Sequence, residues 1–303
     1  MPKLAVICPV YNEAENIKPL VSEFIKLNNN LKKKYSVKFI FVNDGSTDQT
    51  KKIILDESKN FNNIHIINFT KNFGYSSAVA AGLEKINADF YACIDGDLQK
   101  DPMHILSMLE IIENKIDVVQ MVTNKDKNYE SNLKTKLSIL YYALLNYVSE
   151  TKTVSGASDF WLIRKTVRDK LLLNPSFLNF VRASFTFLKF KTSYISYNAM
   201  KRKLGISKFN LKKQIELAMC GILIFAKKKY FLLLFLVPVS FIFFAYCSYL
   251  IFIEIFFSNI TVLNSLLLFV SLIPIFLITH TVFMIHKMHK KVQNKPSYVI
   301  EKI

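Results

Sequence analysis

Two aspartates separated by one glycine, Asp95-Gly96-Asp97, close the apolar run Phe90-Tyr91-Ala92-Cys93-Ile94 and lead into Leu98-Gln99-Lys100-Asp101-Pro102. The run reads as a buried strand that delivers both carboxylates to its C-terminal edge. Carboxylates at this spacing, around a glycine that lets backbone come close to a ligand, suit a hard divalent cation that keeps positions open for phosphate oxygens. The pattern points to a metal-bridged diphosphate site. Its place after a strand, and the polar segments that accompany it, separate it from an ordinary solvated turn.

The elements that must position these carboxylates follow from the alternation of short apolar runs with helical patterns. Residues 4–8, 37–42, 64–69, 90–94 and 118–122 read as buried strands, with helices over 13–29, 48–59, 76–86 and 103–114. This βαβ series predicts a mostly parallel sheet, in which ligands bind at the carboxyl edge of the strands. A polar segment follows each of the first four: Pro9-Val10-Tyr11-Asn12-Glu13, Asn43-Asp44-Gly45-Ser46-Thr47-Asp48, Lys71-Asn72-Phe73-Gly74 and the Asp95 pair. Glu13 and Asp44 are suited to accept hydrogen bonds from a uracil or ribose. Ser46, Thr47 and Asp48 read better as caps of the following helix than as ligand contacts. The chain has only seven glycines, and none forms a dinucleotide-binding or P-loop signature. A nucleotide must then be held by side chains and metal.

Beyond residue 122 the alternation loosens. Residues 124–131 are polar and lysine-rich, and 133–148 carry an amphipathic stripe through Leu137, Leu140, Tyr141, Leu144 and Leu145. The small-residue turn Ser155-Gly156-Ala157-Ser158 then sets Asp159 ahead of an apolar run at 160–163, a spacing that fits a structural cap as well as a catalytic acid. A strand is expected at 193–199. It leads to Lys201-Arg202-Lys203-Leu204-Gly205-Ile206-Ser207-Lys208, which reads as a cradle for phosphate oxygens or as a solvated basic loop. Residues 209–225 have the pattern of a helix lying in a membrane interface.

Two long apolar stretches follow. Residues 230–253 carry no charge and 260–285 carry only His280, each longer than the roughly 20 residues that cross a hydrocarbon core. The short connection between them predicts a hairpin. Lys227-Lys228-Lys229 before it and His286-Lys287-Met288-His289-Lys290-Lys291 after it place both flanks in the cytoplasm by the positive-inside rule. The expected organisation is a cytosolic α/β domain at 1–207, a juxtamembrane helix at 208–228, two transmembrane helices within 229–286 (about 230–254 and 261–285) and a basic cytoplasmic tail at 287–303. No signal peptide is expected at the N-terminus, because the apolar run at 4–10 is too short. The net charge of +17 comes with no nucleic-acid-binding signature, and lysines beside membrane spans are accounted for by anionic headgroups. Cys8, Cys93, Cys220 and Cys247 are scattered in apolar stretches and read as core or lipid-facing residues of a reducing compartment.

Together the segments Pro9 to Glu13, Val42 to Asp48, Lys71 to Gly74, Asp95 to Pro102, Ser158-Asp159-Phe160 and Gly205 to Lys208 resemble, in order and spacing, the family 2 glycosyltransferases. The branch they resemble holds the dolichol-phosphate mannose synthases and bactoprenol-phosphate glucosyltransferases. The resemblance implies a GT-A fold (α/β, Rossmann-like, mostly parallel sheet) with interfacial helices and a two-helix transmembrane hairpin. It implies binding of a UDP- or GDP-linked nucleotide sugar at Pro9, Tyr11, Glu13, Asp44, Lys71 and Asp95, and a divalent metal, Mg2+ or Mn2+, at Asp95 and Asp97. Asp97, Gln99 and Asp159 would be catalytic, and Arg202, Ser207 and Lys208 would hold the phosphate of a polyprenyl phosphate acceptor. Inverting transfer of one sugar at the inner membrane, for envelope glycan or glycoconjugate modification, would be the activity, with copies assembling through the membrane part. Three positions depart from the pattern: Asn43 replaces a usual second aspartate, Trp161 an arginine after the Asp-Phe pair, and Ala199 an arginine upstream of Arg202. The alternatives are a transferase acting on a lipid hydroxyl or lipid-linked saccharide, for which Asp159 would be a true base, and a non-catalytic nucleotide-sugar-binding scaffold. A processive synthase is disfavoured, since the only tryptophan, Trp161, is not in a Gln-x-x-Arg-Trp motif.

Overall fold

The structure is a computed structural model that describes residues 1–123, 156–198 and 298–301, with scattered positions among 143–154 and 245–249. By its contacts the chain forms two compact units, Met1–Ala226 with Ser297–Ile303, and Lys227–Pro296. The expected loop at 124–131, most of the amphipathic helix at 133–148, the basic segment with Arg202, Ser207 and Lys208, the interfacial helix and both apolar stretches lie outside the described residues. Among the described residues no helix is long and apolar enough to cross a membrane.

Seven strands form one sheet: β1 (Lys3–Val10), β2 (Ser36–Asn43), β3 (Ile64–Asn68), β4 (Phe90–Cys93), β5 (Val118–Thr123), β6 (Ala157–Arg164) and β7 (Thr192–Tyr197). Their spatial order is β3-β2-β1-β4-β6-β5-β7. β1 pairs in parallel with β2 and β4, β2 with β3, and β5 with β7, whereas β6 runs antiparallel to both β4 and β5. The sheet is therefore mostly parallel, as the alternation of runs predicts. The chain builds outward from β1 to β3 and then returns to place β4 on the other side of β1. That reversal opens a crevice at the carboxyl ends of β1 and β4, the usual place for a ligand in such sheets.

Helices cover both faces because the strands are apolar on both sides. On one face lie α1 (Ala14–Leu31), α2 (Thr50–Asn60) and α4 (His104–Ile112). The α1 stripe of Ile17, Leu20, Val21, Phe24, Leu27 and Leu31 packs there on Phe39 and Phe41, with the Phe24 and Phe39 rings stacked at 4.5 Å. On the other face lie α3 (Tyr75–Lys85), α5 (Lys165–Leu173), the 3-10 helix Pro175–Phe180 and α6 (Val181–Phe187). Trp161 is buried on that face with Phe185, ring centroids 5.8 Å apart. Its role is core packing, which explains why an indole can stand at this position. Gly82 of α3 faces Ile7 so closely that a Cβ would meet Ile7 Cγ2 at 2.5 Å.

Within the segment expected as a basic cytoplasmic tail, residues 298–301 extend the sheet beyond β3. Ile300 bridges antiparallel to Phe69, Thr70 N–H donates to the Val299 carbonyl (3.1 Å) and Glu301 N–H to the Asn68 carbonyl (2.8 Å). Tyr298 stacks on Phe69 at 5.0 Å and donates to Glu84, while Lys51 pairs with Glu301. The edge of β3, otherwise a row of open backbone groups, is thereby covered. Tyr298→Ala removes the ring stack and the Glu84 bond, and is expected to cost about 1–2 kcal/mol, read as a lower thermal midpoint of the purified protein.

Candidate active site

The site is built at the edge where the parallel strands end and one antiparallel strand starts. After β1 come Tyr11, Asn12 and Glu13; after β2, Asp44; after β3, Lys71 to Gly74; after β4, Asp95 and Asp97. Because β6 is antiparallel to β4, with Cys93 opposite Trp161, its first residues rather than its last reach this edge, and they bring Ser158 and Asp159 beside Asp95. The β5–β6 register slips between Gln120 and Val122, and the buried Gln120 amide satisfies the Ser158 carbonyl there (3.1 Å). Asp159 thus sits on an irregularity of the kind that re-aims side chains next to sites. β7 is parallel to β5 and also ends here, at Tyr197, before the chain runs on to Arg202, Ser207 and Lys208.

The polar loops fasten one another. Both oxygens of Asp44, which is 4% exposed, accept backbone N–H groups, from Phe73 at 2.7 Å and Gly74 at 2.9 Å. Its described part is to fix the loop after β3. Ser46 accepts from Asn12 N–H (2.9 Å), Asp48 from Ala14 N–H (3.3 Å) and Thr50 N–H (3.0 Å), and Thr50 Oγ1 from Glu13 N–H (2.9 Å). Ser46 and Asp48 are structural, as expected, but they latch the β2–α2 loop to the β1–α1 loop, and no side chain caps α2 at Gln49. Asn43 uses both ends of its amide, donating to Asn68 (3.0 Å) and accepting from Ser46 N–H (3.2 Å). The Glu13 carboxylate accepts from Asn16 Nδ2 at 2.6 Å. Pro9 is buried within β1, and Lys71 lies exposed with its ammonium 5.3 Å from the Phe73 ring centroid.

Gly45 lets these loops close. Its φ is +66°, and a Cβ would sit 2.2 Å from the Lys71 carbonyl carbon and 2.6 Å from Asn72 N. Gly45→Ala therefore combines left-handed strain with a backbone clash, and about 3 kcal/mol of stability should be lost. The loss arises because the loop after β3 has to move, and thermal melting would measure it.

At the centre, the Asp97 carboxylate accepts Gln99 N–H (3.2 Å), Leu98 has φ +58°, and this tight turn folds Lys100 back onto Asp95, with which it forms an ion pair. Burial would lower the Lys100 pKa, but the carboxylates, Asp95 first and Asp159 after it, outweigh it and hold the ammonium above its ordinary range. The buried Cys8 thiol is pushed well up, first by desolvation and then by Cys93, Asp95, Asp97 and Glu13. Cys8 and Cys93 are free and buried, while Cys220 and Cys247 lie outside the described residues. Asp159 has Arg182 of α6 at 4.0 Å, and that guanidinium lies 4.7 Å from the Phe180 ring centroid. Arg182 and Lys100 went unassigned in the sequence; a single cation within the aromatic run Phe177 to Phe187 was the available signal for the first.

No group of three or more His, Cys, Asp or Glu side chains suited to a metal occurs among the described residues. Asp95 and Asp97 nevertheless fit an ion such as Mg2+ or Mn2+, which commonly takes one or two carboxylates and completes its shell with substrate phosphates and water.

The mostly parallel, doubly wound sheet with Asp95 and Asp97 after β4 at its switch point is of the Rossmann-like α/β class to which the GT-A fold belongs. The chain belongs to glycosyl transferase family 2, whose profile matches residues 5–172. The SfII prophage-derived bactoprenol glucosyl transferase of Shigella flexneri is 30% identical over 99% of this chain and 98% of its own. The prophage bactoprenol glucosyl transferase homolog of Escherichia coli (strain K12) is 32% identical over 74% of this chain and 72% of its own. Among solved structures, glucosyl-3-phosphoglycerate synthase from Mycobacterium tuberculosis, in complex with Mn2+, UDP and phosphoglyceric acid, shares the fold with a TM-score of 0.50 at 13% identity, covering 72% of this chain and 75% of its own.

Proposed function

We propose that this glycosyltransferase moves one sugar from a nucleoside diphosphate sugar, UDP- or GDP-linked, to a polyprenyl phosphate at the cytoplasmic membrane face, with inversion. The observation that carries the reading is the convergence of Asp95 and Asp97 from β4 with Asp159 from the reversed β6 at the mouth of the switch-point crevice. Support for the acceptor is the end-to-end match to a protein named for bactoprenol glucosyl transfer. Support for a metal and a nucleotide is the Mn2+ and UDP held by a solved protein of the same fold.

Asp95 and Asp97 would hold Mg2+ or Mn2+. Such an ion supplies Lewis-acid neutralisation of the leaving diphosphate, worth several kcal/mol. The turn from Asp97 to Gln99 keeps the Asp97 carboxylate fixed before substrate arrives. A phosphate oxygen of the acceptor forms the new bond to the anomeric carbon from the face opposite the diphosphate, and the anomeric C–O bond to the diphosphate breaks with its electron pair. With a second pKa of about 6, the acceptor phosphate is already an oxyanion near neutral pH. Asp159 then needs only to orient the acceptor or take a residual proton. Arg182 holds that carboxylate and, with Arg202, Ser207 and Lys208, offers donors to the acceptor phosphate.

The apolar stretches at 230–253 and 260–285 would hold the domain at the bilayer surface, where a lipid phosphate resides. Residues 298–301 rejoin the same domain that residues 1–198 build, which supports an even number of crossings between them. Incubating membranes with radiolabelled nucleotide sugars tests the proposal. Label in a mild-acid-labile lipid is expected; label in an alkali-labile glycerolipid would move the acceptor to a lipid hydroxyl, and no lipid label with any donor would leave the scaffold reading.

A further inference from the structure

Asp95 is already engaged by a cation of the chain itself. Its Oδ2 accepts from the ammonium of Lys100, a buried residue, while the Asp95 side chain stays 30% exposed, so the cation reaches the carboxylate from inside the domain. Local geometry enforces it: Leu98 at φ +58°, the Asp97–Gln99 turn, and Met103 N–H donating to the Asp101 carboxylate (2.9 Å) together bend the segment so that position 100 returns to position 95. A divalent ion and an ammonium on one carboxylate repel strongly at such separations.

Resting on the reading of Asp95 and Asp97 as the metal pair, we propose that Lys100 is a built-in competitor for the metal, occupying Asp95 until a nucleoside diphosphate supplies the oxyanions on which the ammonium can be re-paired. The charge count shows why. Asp95 and Asp97 against one ammonium and one divalent ion leave a net positive cluster, Asp159 being already paired with Arg182, whereas the added diphosphate gives both cations partners. Metal and nucleotide then enter as a coupled pair, each raising the affinity of the other by the same factor.

The test is titration of the full-length protein in detergent with Mn2+, reading free Mn2+ by electron paramagnetic resonance, alone and with UDP or GDP. Wild type should bind Mn2+ weakly alone and about tenfold or more tightly with a nucleoside diphosphate. Lys100→Met keeps the stem without the charge, and should tighten binding of Mn2+ alone by about tenfold and shrink the nucleotide effect to match. Lys100→Gln, which still donates to Asp95, should do the same if charge rather than packing is responsible. Mn2+ affinities of both variants within about twofold of wild type, with binding lost in Asp97→Asn, would overturn the competitor role and leave the metal pair standing. No Mn2+ binding by any of these proteins even with nucleotide would overturn the metal pair and the competitor together.

Discussion

Asp97→Asn is expected, on the proposed mechanism, to lower turnover by roughly a thousandfold or more while the protein stays folded. The substitution removes one negative charge where a cation would meet the leaving diphosphate. It changes little else, because the amide oxygen of an asparagine can still accept the Gln99 N–H bond that shapes the turn. Loss of several kcal/mol of charge stabilisation at the transition state corresponds to three or more powers of ten in rate. Lipid-linked label formed per unit of membrane protein measures it, with a thermal melt and the membrane-fraction yield as controls. Activity within tenfold of wild type would remove Asp97 from the metal pair.

Asp159→Ala should reduce kcat by about a hundredfold or more and raise the KM for the lipid acceptor, with the KM for the donor nearly unchanged. Asp159 stands at the start of β6 against Arg182, away from the loops after β2 and β3 that are latched to one another. Its loss also removes the Arg182 ion pair. If the acceptor is a phosphate, Asp159→Asn should retain more activity than Asp159→Ala, because orientation rather than proton removal is the larger part of its role. Equal and complete loss in both variants would instead favour a hydroxyl acceptor that needs a base.

Much of the sheet was legible because a strand covered on both faces is a short uninterrupted apolar run, and the first five runs each appear within about two residues of their expected bounds. The polar segment after each of the first four was equally legible, since a parallel sheet sends every such segment to one edge. Asp44 shows where this stops. Its type and place suggested a nucleotide contact, but only the folded chain brings the Phe73 and Gly74 amides to its two oxygens. Lys100 was visible within the acidic motif yet was assigned no role, because a positive φ at Leu98 is not encoded by any glycine there.

The residue types and their order along the chain determined that this is an α/β protein of family 2 with an acidic pair at a strand end, since burial, strand spacing and charge are local properties of a sequence. Tertiary structure alone decided that β6 runs backwards and so delivers Asp159 by its first residues, that Arg182 becomes the partner of Asp159, and that residues 298–301 close the edge of β3. Each of these joins positions far apart in sequence or depends on backbone direction. Such relations are set by which packing of the whole sheet buries the most apolar surface, and no local pattern records them.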